Sequence, residues 1–373
     1  MKKLGCLFVL AIALLLPLVT CASEEISVSA KGAVLLDGAS GRALFSHNAD
    51  QMLPMASTTK IMTALLALEN AKLTDRVTAS ANASGVPGTS IYLGVGEALS
   101  MEQMLYGLML RSGNDAAVAI AEHVAGSAPK FAEMMNARAA ELGVAAHFEN
   151  PHGLDEAGHS ASALAMATIL REAMRNPDFR EITGTQRKVI PWAESGFSRV
   201  LSNKNRLLRT YDGATGGKTG FTDRAGRCLV FAAERDGMEL VGAVLNCPAW
   251  FDEAEGMLNF GFEHYHLETA LAAGQVACET GVVGGMKGKV EAVADRTLAA
   301  AVGENERWSV RYDFGDGVTA PVARGEAIGT ATLSIDGEPV ASCKLLAKQA
   351  VEDRSMMKAL RRILLQWILN FRE

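Results

Sequence analysis

The chain has 373 residues, of which 49% are hydrophobic, and its formal net charge is −6. This length and hydrophobic fraction allow a large buried core and suggest two domains. The acidic balance, with no basic stripe interleaved with aromatic residues in the middle of the chain, argues against a nucleic-acid partner.

The N-terminus has the pattern of a secretory targeting segment. Two lysines precede an almost wholly apolar run, Leu4–Val19, and small residues follow at 20–22. The pattern predicts a signal peptide over residues 1–22 and an exported protein. Two alternatives stay open: an uncleaved anchor, for which the run is short, and a lipoprotein modified at Cys21.

Secondary-structure signals divide the rest of the mature chain into two regions. A hairpin is predicted over Lys31–Phe45 and a helix buried almost all round over Thr58–Ala71, followed by helical stretches up to residue 175 and strands up to Leu245. This order predicts an α+β domain over residues 25–265, with a mixed sheet covered by helices. Short alternating runs and Asp-Gly turns then predict a small all-β domain over residues 270–350.

The C-terminal segment, residues 353–373, has the spacing of an amphipathic helix with a basic polar side. Its position at the end of an exported protein favours a helix lying in the plane of a membrane surface, on the outer face of the cytoplasmic membrane. A helix packed on the body of the protein is the alternative. The apolar positions are Met356, Met357, Leu360, Ile363, Leu364, Trp367, Ile368 and Phe371.

The cysteines of the mature domains match no zinc-site spacing. Cys228 and Cys247 fall on what look like adjacent strands, so both a disulfide and isolated thiols stay open. The four positions are Cys228, Cys247, Cys278 and Cys343.

Three short motifs carry the candidate chemistry. Ser57 and Lys60 lie three residues apart at a predicted helix start, which places a weak nucleophile one turn from a base. Backbone N–H groups at a helix N-terminus can also stabilise an oxyanion. The same spacing occurs at Ser127 and Ser355, but only Ser57 begins a buried helix.

The other two motifs follow in order. Ser112 and Asn114 sit between predicted helices, and Lys218-Thr219-Gly220 enters a predicted strand. Each motif alone is weak, and the serine–asparagine spacing also occurs elsewhere in the chain. The ordered set is the signature of penicillin-binding proteins and class A β-lactamases.

The sequence resembles the D-alanyl-D-alanine carboxypeptidases among the low-molecular-mass penicillin-binding proteins. The likeness runs from about Ser29 to the terminus. It is carried by the residues around the three motifs, by Phe148–Asp155 and by Asn203–Leu208. The resemblance implies a five-stranded antiparallel sheet flanked by helices, as in β-lactamases and transpeptidases, with a small C-terminal β-sandwich behind it.

The resemblance also implies roles for the site residues. Ser57 attacks the carbonyl between two terminal D-alanines of a peptidoglycan stem peptide, neutral Lys60 accepts its proton, and Ser112 passes a proton to the leaving amine. Asn114 orients the substrate amide, while Lys218 and Thr219 meet the terminal carboxylate and Lys218 helps to keep Lys60 neutral. No metal or cofactor is implied, and a β-lactam would acylate the same serine.

The remaining implied contacts come from the strand after the third motif. Gly220 belongs to the substrate-binding strand, and the backbone N–H groups of Ser57 and Phe221 form the oxyanion hole. Relatives often carry Tyr or His at the position of Phe221, which tunes the pocket and leaves the backbone donor in place. His152 lies in a turn-rich segment, for which a structural role is predicted.

Alternative functions stay open. A D,D-endopeptidase would use the same site on cross-linked peptides. A class A β-lactamase would lack the second domain and the terminal helix, and a non-catalytic penicillin sensor would not need all the reactive residues.

Overall fold

The computed structural model describes the chain in the residue ranges 26–192, 196–354, 360–361 and 363–367. The predicted signal peptide and most of the predicted terminal helix therefore lie outside the described residues. Within these ranges, no helix is long and apolar enough to cross a membrane. Of the terminal segment, the described apolar side chains are all more than half exposed: Leu360, Ile363, Leu364, Leu365 and Trp367.

The first region combines one large sheet with helices and short hairpins. Its elements in chain order are β1 (Gly32–Asp37), β2 (Ala43–His47), a 3₁₀ turn (Ala56–Thr59), α1 (Lys60–Asn70), β3 (Arg76–Thr78), α2 (Ala81–Gly85), β4 (Ala98–Ser100), α3 (Met101–Leu110), α4 (Asn114–Ala125), α5 (Ala128–Glu141), β5 (Ala146–His147), β6 (Ser160–Ala161), α6 (Ala163–Ala173), α7 (Pro177–Gly184), β7 (Arg187–Trp192), β8 (Phe197–Ser202), α8 (Leu207–Thr210), β9 (Ala214–Thr222), β10 (Gly226–Arg235), β11 (Met238–Leu245) and α9 (Trp250–His264).

The large sheet has the strand order β2-β1-β11-β10-β9, and every neighbouring pair is antiparallel. The five-stranded antiparallel sheet implied by the family resemblance is therefore confirmed. The mixed sheet expected from element order alone is wrong, because hairpins join β1 to β2 and β9 through β11 in succession. Antiparallel neighbours need only such short connections.

Both faces of this sheet are covered, so its central strands are apolar without alternation. On β1, Val34 and Leu36 face the core formed with α1, α3, α4 and α6. Ala33 and Leu35 face the opposite core, which is closed by α9. This arrangement explains why the sequence Ala33–Leu36 is uniformly hydrophobic in a strand.

The predicted central helix is present as α1, and its burial follows from its neighbours. Eight of its eleven residues, Lys60–Ala67, are buried. The helix packs against α3, α4, α5, α6 and α7 and reaches β9 at its N-terminal end. A helix surrounded in this way is mostly apolar on all sides, and the charged side chain of its first residue, Lys60, needs a reason.

The connection between α3 and α4 is short and has an unusual backbone conformation. Ser100 and Gln103 form a reciprocal capping box that starts α3. The helix ends at Leu110 and α4 begins at Asn114, so residues 111–113 make a tight connection. Ser112 in this connection has a φ of +65°, a conformation that non-glycine residues seldom adopt.

The second region is built only of strands. They are β12 (Tyr265–Leu271), β13 (Val276–Val283), β14 (Lys289–Ala294), β15 (Leu298–Gly303), β16 (Trp308–Asp313), β17 (Val318–Thr319), β18 (Ala327–Ile335) and β19 (Glu338–Ala347). A six-stranded sheet, β16-β18-β19-β14-β13-β17, faces the pair β12-β15 across a shared apolar core. The predicted β-sandwich is confirmed. Its predicted turn at Asp336 and Gly337 has positive φ at both residues, as a tight hairpin requires.

Polar contacts join the two regions where β1 ends. The carboxylate of Asp37, which is fully buried, accepts the backbone N–H of Ala301 on β15 at 3.0 Å. Arg42 forms an ion pair with Glu306 across the same boundary. Asp37 also accepts the backbone N–H groups of the turn that follows β1. One carboxylate thus shapes a turn of the first region and holds a strand of the second.

All four cysteines of the described domains are free thiols, so no disulfide joins Cys228 and Cys247. Cys228 lies on β10, whereas Cys247 follows the end of β11 and donates to Glu253 at 2.9 Å.

Candidate active site

Ser57 lies in the 3₁₀ turn that leads into α1, and Lys60 is the first residue of the helix. The sequence placed Ser57 at the start of the helix itself, so the structure shifts it into the preceding turn. The expected spacing is nevertheless achieved, because Lys60 Nζ lies 2.8 Å from Ser57 Oγ. The nucleophile and the base are therefore within hydrogen-bond reach of each other.

The amine of Lys60 is enclosed by oxygen atoms from three parts of the chain. Besides Ser57 Oγ, Nζ reaches Asn114 Oδ1 at 2.8 Å and the backbone carbonyl of His152. The side chain is fully buried, and burial is the main reason why its pKa lies well below the usual value. The positive charges of Lys218 and Lys204 lower the pKa further, and Asp115 opposes them.

The backbone around Ser57 is closely packed and locally strained. Ala56 has a φ of +49°, which costs free energy for a residue with a side chain. Gly153 lies so close that a Cβ atom there would come within 1.9 Å of the Ala56 carbonyl oxygen. A Cβ atom at Gly220 would lie 3.0 Å from the backbone nitrogen of Ser57. Two glycines thus let a loop and a strand meet the nucleophile turn.

Ser112 and Asn114 face this turn from the α3–α4 connection. Ser112 Oγ is buried, and among the described residues it has no hydrogen-bond partner. Asn114 is almost fully buried; besides accepting from Lys60, its Nδ2 donates to the Pro87 carbonyl at 2.7 Å. The hydroxyl of Ser112 is therefore uncommitted, whereas the amide of Asn114 is held in one orientation.

The third motif lies on the edge strand of the sheet. Lys218 is in the middle of β9 and not at its entry, because the strand already starts at Ala214. Lys218 Nζ donates to the Thr219 carbonyl at 2.8 Å, and burial with the charge of Lys204 lowers its pKa to about 7. Thr219 is buried and Phe221 is 61% exposed, so the strand turns from core to solvent within three residues.

Lys204 is a site residue that the sequence analysis did not single out. Its side chain is exposed, and its backbone N–H donates to the Leu110 carbonyl at 3.3 Å, just before Ser112. Its charge lowers the pKa of both Lys60 and Lys218, and its own pKa is lowered by burial and by Arg111. The only sequence signal was its place in the segment Asn203–Leu208, which carried part of the family likeness.

The segment Asn150–Glu156 supplies the carbonyl that contacts Lys60. Asn150 Oδ1 accepts the backbone N–H groups of His152 and Gly153, which fixes the turn. The ring of His152 accepts the Leu154 N–H at 3.2 Å, and its pKa is lowered to about 3, mainly by burial. The predicted structural role suits this neutral ring, but the backbone of His152 belongs to the site.

A second histidine, His159, contacts the 3₁₀ turn that carries Ser57. His159 Nδ1 accepts the Glu149 N–H at 3.0 Å, so its proton is on Nε2, which lies 2.8 Å from Thr59 Oγ1. Burial is the main cause that lowers its pKa to about 4. In the described part of the chain, no group of three or more His, Cys, Asp or Glu side chains could hold a metal ion.

Family models match both regions of the chain. Residues 19–249 match the model described as D-alanyl-D-alanine carboxypeptidase, which covers more than half of the chain. The chain belongs to the D-alanyl-D-alanine carboxypeptidase family. Residues 265–353 match the model described as penicillin-binding protein 5, C-terminal domain. The family and the fold class expected from the motifs are therefore confirmed.

Relatives of this family match along most of their length. The D-alanyl-D-alanine carboxypeptidase DacF of Bacillus subtilis (strain 168) is 31% identical over 358 residues, 92% of this chain and 92% of the relative. DacC of Escherichia coli (strain K12) is 32% identical over 350 residues, 88% of this chain and 86% of the relative. A crystal structure of penicillin binding protein 5 from Haemophilus influenzae has a TM-score of 0.75 at 30% identity, covering 88% and 98% of the two chains.

A buried ion pair holds the loop that packs against Asn114. Arg199 on β8 and Glu97 are each 5% exposed in their side chains and form a bidentate pair at 2.6 and 2.8 Å. The same guanidinium donates to the carbonyls of Ile91 and Tyr92. In the same segment, the carboxylate of Asp115 accepts the N–H groups of Ile91 and Leu93. The loop is thus clamped between the β7–β8 hairpin and the start of α4.

Replacement of Arg199 by Met should destabilise this family member by about 3–5 kcal/mol, because Glu97 would remain buried without its partner. Urea unfolding followed by circular dichroism measures the change. The double variant Arg199→Met/Glu97→Met should recover most of the loss, since it removes both buried charges. Equal destabilisation by the single and double variants would show that the buried charge of Glu97 does not cause the loss of stability. Arg187→Met, on the exposed strand β7, serves as the matched control.

Proposed function

We propose that the protein is a serine-type carboxypeptidase that removes the terminal D-alanine from peptidoglycan stem peptides ending in D-Ala-D-Ala, and that it binds penicillin. The observation that carries the proposal is the 2.8 Å contact between Ser57 Oγ and the fully buried amine of Lys60. Membership of the D-alanyl-D-alanine carboxypeptidase family supports it. The alternatives of an endopeptidase, a class A β-lactamase and a penicillin sensor are not favoured by the relatives.

A neutral Lys60 fits its three oxygen neighbours. A neutral amine has two N–H donors, which match the acceptors Asn114 Oδ1 and the His152 carbonyl. Its lone pair is then directed to Ser57 Oγ and can accept the hydroxyl proton. Burial and two nearby cations hold the pKa of Lys60 well below its usual value, so the neutral form is favoured relative to an ordinary lysine.

Acylation then proceeds in two proton-coupled steps. Ser57 Oγ forms a bond to the carbonyl carbon of the penultimate D-alanine while its proton passes to Lys60. The oxyanion is stabilised by the backbone N–H groups of Ser57 and Phe221. The carbon–nitrogen bond breaks as Ser112, whose hydroxyl is uncommitted, relays a proton to the leaving amine. Water hydrolyses the acyl-enzyme by the reverse proton path.

Positive charge at one end of the cleft suits the terminal carboxylate of the substrate. Lys218 and Thr219 meet the carboxylate directly, and Lys204 adds a second positive charge nearby. Asn114 keeps one N–H free after its contacts with Lys60 and Pro87, and this donor orients the substrate amide. Gly220 allows β9 to lie close to the nucleophile turn, so the substrate is held between that strand and the α3–α4 connection.

The proposed location is the outer face of the cytoplasmic membrane. Residues 1–22 would direct export, residues 25–265 would form the catalytic domain and residues 270–350 the β-sandwich. The amphipathic segment 353–373 would lie in the membrane surface. What supports the last assignment is that its described apolar side chains, including Ile363 and Leu364, are more than half exposed and are not covered by the body of the protein.

Replacement of Ser57 by Ala should abolish both fluorescent-penicillin labelling and release of D-alanine from a pentapeptide ending in D-Ala-D-Ala. The loss follows because, among the described residues, Ser57 carries the hydroxyl that contacts the Lys60 amine. Gel fluorescence and a D-alanine assay measure the two effects. Ser127→Ala is a matched control, since Ser127 has the same spacing to a lysine but caps α5. Labelling of the Ser57 variant at the wild-type level would refute the assignment of the nucleophile.

The pH profile of kcat/KM should be bell-shaped. Its acidic limb should rise as Lys60 loses its proton, and its alkaline limb should fall above pH about 7, where Lys218 loses the charge that meets the carboxylate. Lys204→Gln removes a charge that lowers both pKa values. Both limbs should therefore move to higher pH, by a few tenths to about one pH unit.

Steady-state kinetics of D-alanine release from pH 5 to 10 measure these limbs. The control Lys130→Gln removes an exposed lysine on α5 and should leave both limbs unchanged. An unshifted profile for Lys204→Gln would contradict the electrostatic role given to Lys204.

Truncation after Glu352 should move the protein from the membrane fraction to the soluble fraction. The reason is that the exposed apolar side chains of the terminal segment are removed while the described body is kept. Immunoblotting of fractions measures the partition, and retained penicillin labelling shows that the truncated chain is folded. A full-length Ile363→Glu variant should shift the partition in the same direction. An unchanged membrane fraction for both variants would contradict attachment through this segment.

A further inference from the structure

A cavity of about 310 Å³ lies at the junction of the two regions and is lined by three guanidinium groups. Arg171 comes from α6 and Arg175 from the turn after it, whereas Arg296 comes from the β14–β15 turn of the sandwich. The other lining residues are small or hydroxyl-bearing, among them Ser40, Thr297 and Ser342. None of the described lining residues is acidic, although the protein as a whole is.

Arg171 is held in place without a carboxylate partner. Its Nε donates to the Gly38 carbonyl at 2.7 Å and its Nη2 to the Ala39 carbonyl at 2.6 Å. Among the described residues it forms no ion pair. Its pKa is lowered, first by burial and then by the nearby charge of Arg175. A half-buried guanidinium beside a second cation is stabilised when an anion is present.

The other two arginines complete the cluster from both sides. Arg296 donates to the Ser342 carbonyl at 2.6 Å and, within the described ranges, also lacks an acidic partner. Arg175 is paired with Glu172 at 2.7 Å. The charges of Asp37, Glu172 and Glu239 raise the pKa of Arg171 and partly oppose the effect of burial, and Asp37 already accepts the backbone N–H groups of Ala39 and Ala301. The guanidinium groups of Arg171 and Arg296 nevertheless keep N–H donors that no carboxylate of the described residues accepts.

We propose that this cavity binds a phosphate-type oxyanion and so joins the catalytic domain to the β-sandwich. Planar guanidinium groups match the oxygen geometry of phosphate, and the backbone contacts of Arg171 and Arg296 set the orientation of two of them. The hydroxyl of Thr297 lines the same cavity and supplies a neutral donor, whereas the hydroxyl of Ser40 donates to Asp37. Because the arginines come from both regions, the bound anion contacts both at once.

The place of the cavity in the sandwich indicates which phosphate it takes. β14 runs from Lys289 to Ala294, and the cavity lies beyond its Ala294 end, at Arg296. The chain leaves the sandwich towards its terminal segment at the other end, where Gly285 pairs with Asp353. A lipid headgroup in the membrane that holds the terminal segment would be on that distant side. The site is therefore assigned to phosphate groups outside that membrane surface, such as those of a phosphodiester polymer.

Isothermal titration of the full chain with inorganic phosphate, at ionic strength held constant with chloride, tests the site. Arg296→Gln should weaken phosphate binding about ten-fold, the effect of losing one charge-assisted hydrogen bond. Arg175→Gln should weaken it in the same direction. The matched control Arg324→Gln removes an exposed charge from the same sandwich and should leave the affinity unchanged. Penicillin labelling of each variant shows that its catalytic domain is folded.

The same variants distinguish the source of the phosphate. Poly(glycerol phosphate) should bind the wild type more tightly than inorganic phosphate does, and Arg296→Gln should remove this gain. Vesicles of phosphatidylglycerol should bind wild type and Arg296→Gln equally; a loss of vesicle binding in the variant would overturn the polymer assignment. An affinity for phosphate that is undetectable, or that falls as much in Arg324→Gln as in Arg296→Gln, would overturn the site itself.

Discussion

Burying the amine of Lys60 costs free energy unless the amine is neutral and its polar atoms are matched. The structure meets both conditions with oxygen atoms from three separate segments: the nucleophile turn, the start of α4 and the loop at His152. Most of the catalytic domain can be understood as the support of these three segments. The helix α1 has to be central. Its first residue, Lys60, loses its hydrating water only if other helices enclose the helix.

The support of the site concentrates strain where the chemistry takes place. Ala56 and Ser112 both have positive φ, although neither is a glycine. Such conformations persist only when surrounding contacts determine them. The Asn150 turn and the His159–Thr59 contact support the turn that carries Ser57, and Arg199 holds the loop that packs against Asn114.

The electrostatics of the site come from two cations near Lys60. Lys218 and Lys204 lower the pKa of Lys60, and in the proposed function they also provide positive charge for the carboxylate of the substrate. On that proposal, the same charges act on the base and on the substrate. A different group of cations, Arg171, Arg175 and Arg296, lies at the junction of the two regions, and Asp37 and Arg42 connect the β1–β2 hairpin to the sandwich beside it.

The three motifs, their order and the class of fold could be predicted from the sequence, because each rests on local geometry or periodicity. Serine and lysine three residues apart meet on one helical turn, and apolar runs and Asp-Gly turns indicate strands. The antiparallel order of the sheet, the carbonyl of His152, the charge of Lys204 and the arginine cavity could not be derived in this way. They depend on contacts between residues about 50 to 150 positions apart, such as Lys60 with Asn114, His152 and Lys204. Only the packed tertiary structure brings those residues together and excludes the water that would otherwise stabilise the protonated amine of Lys60.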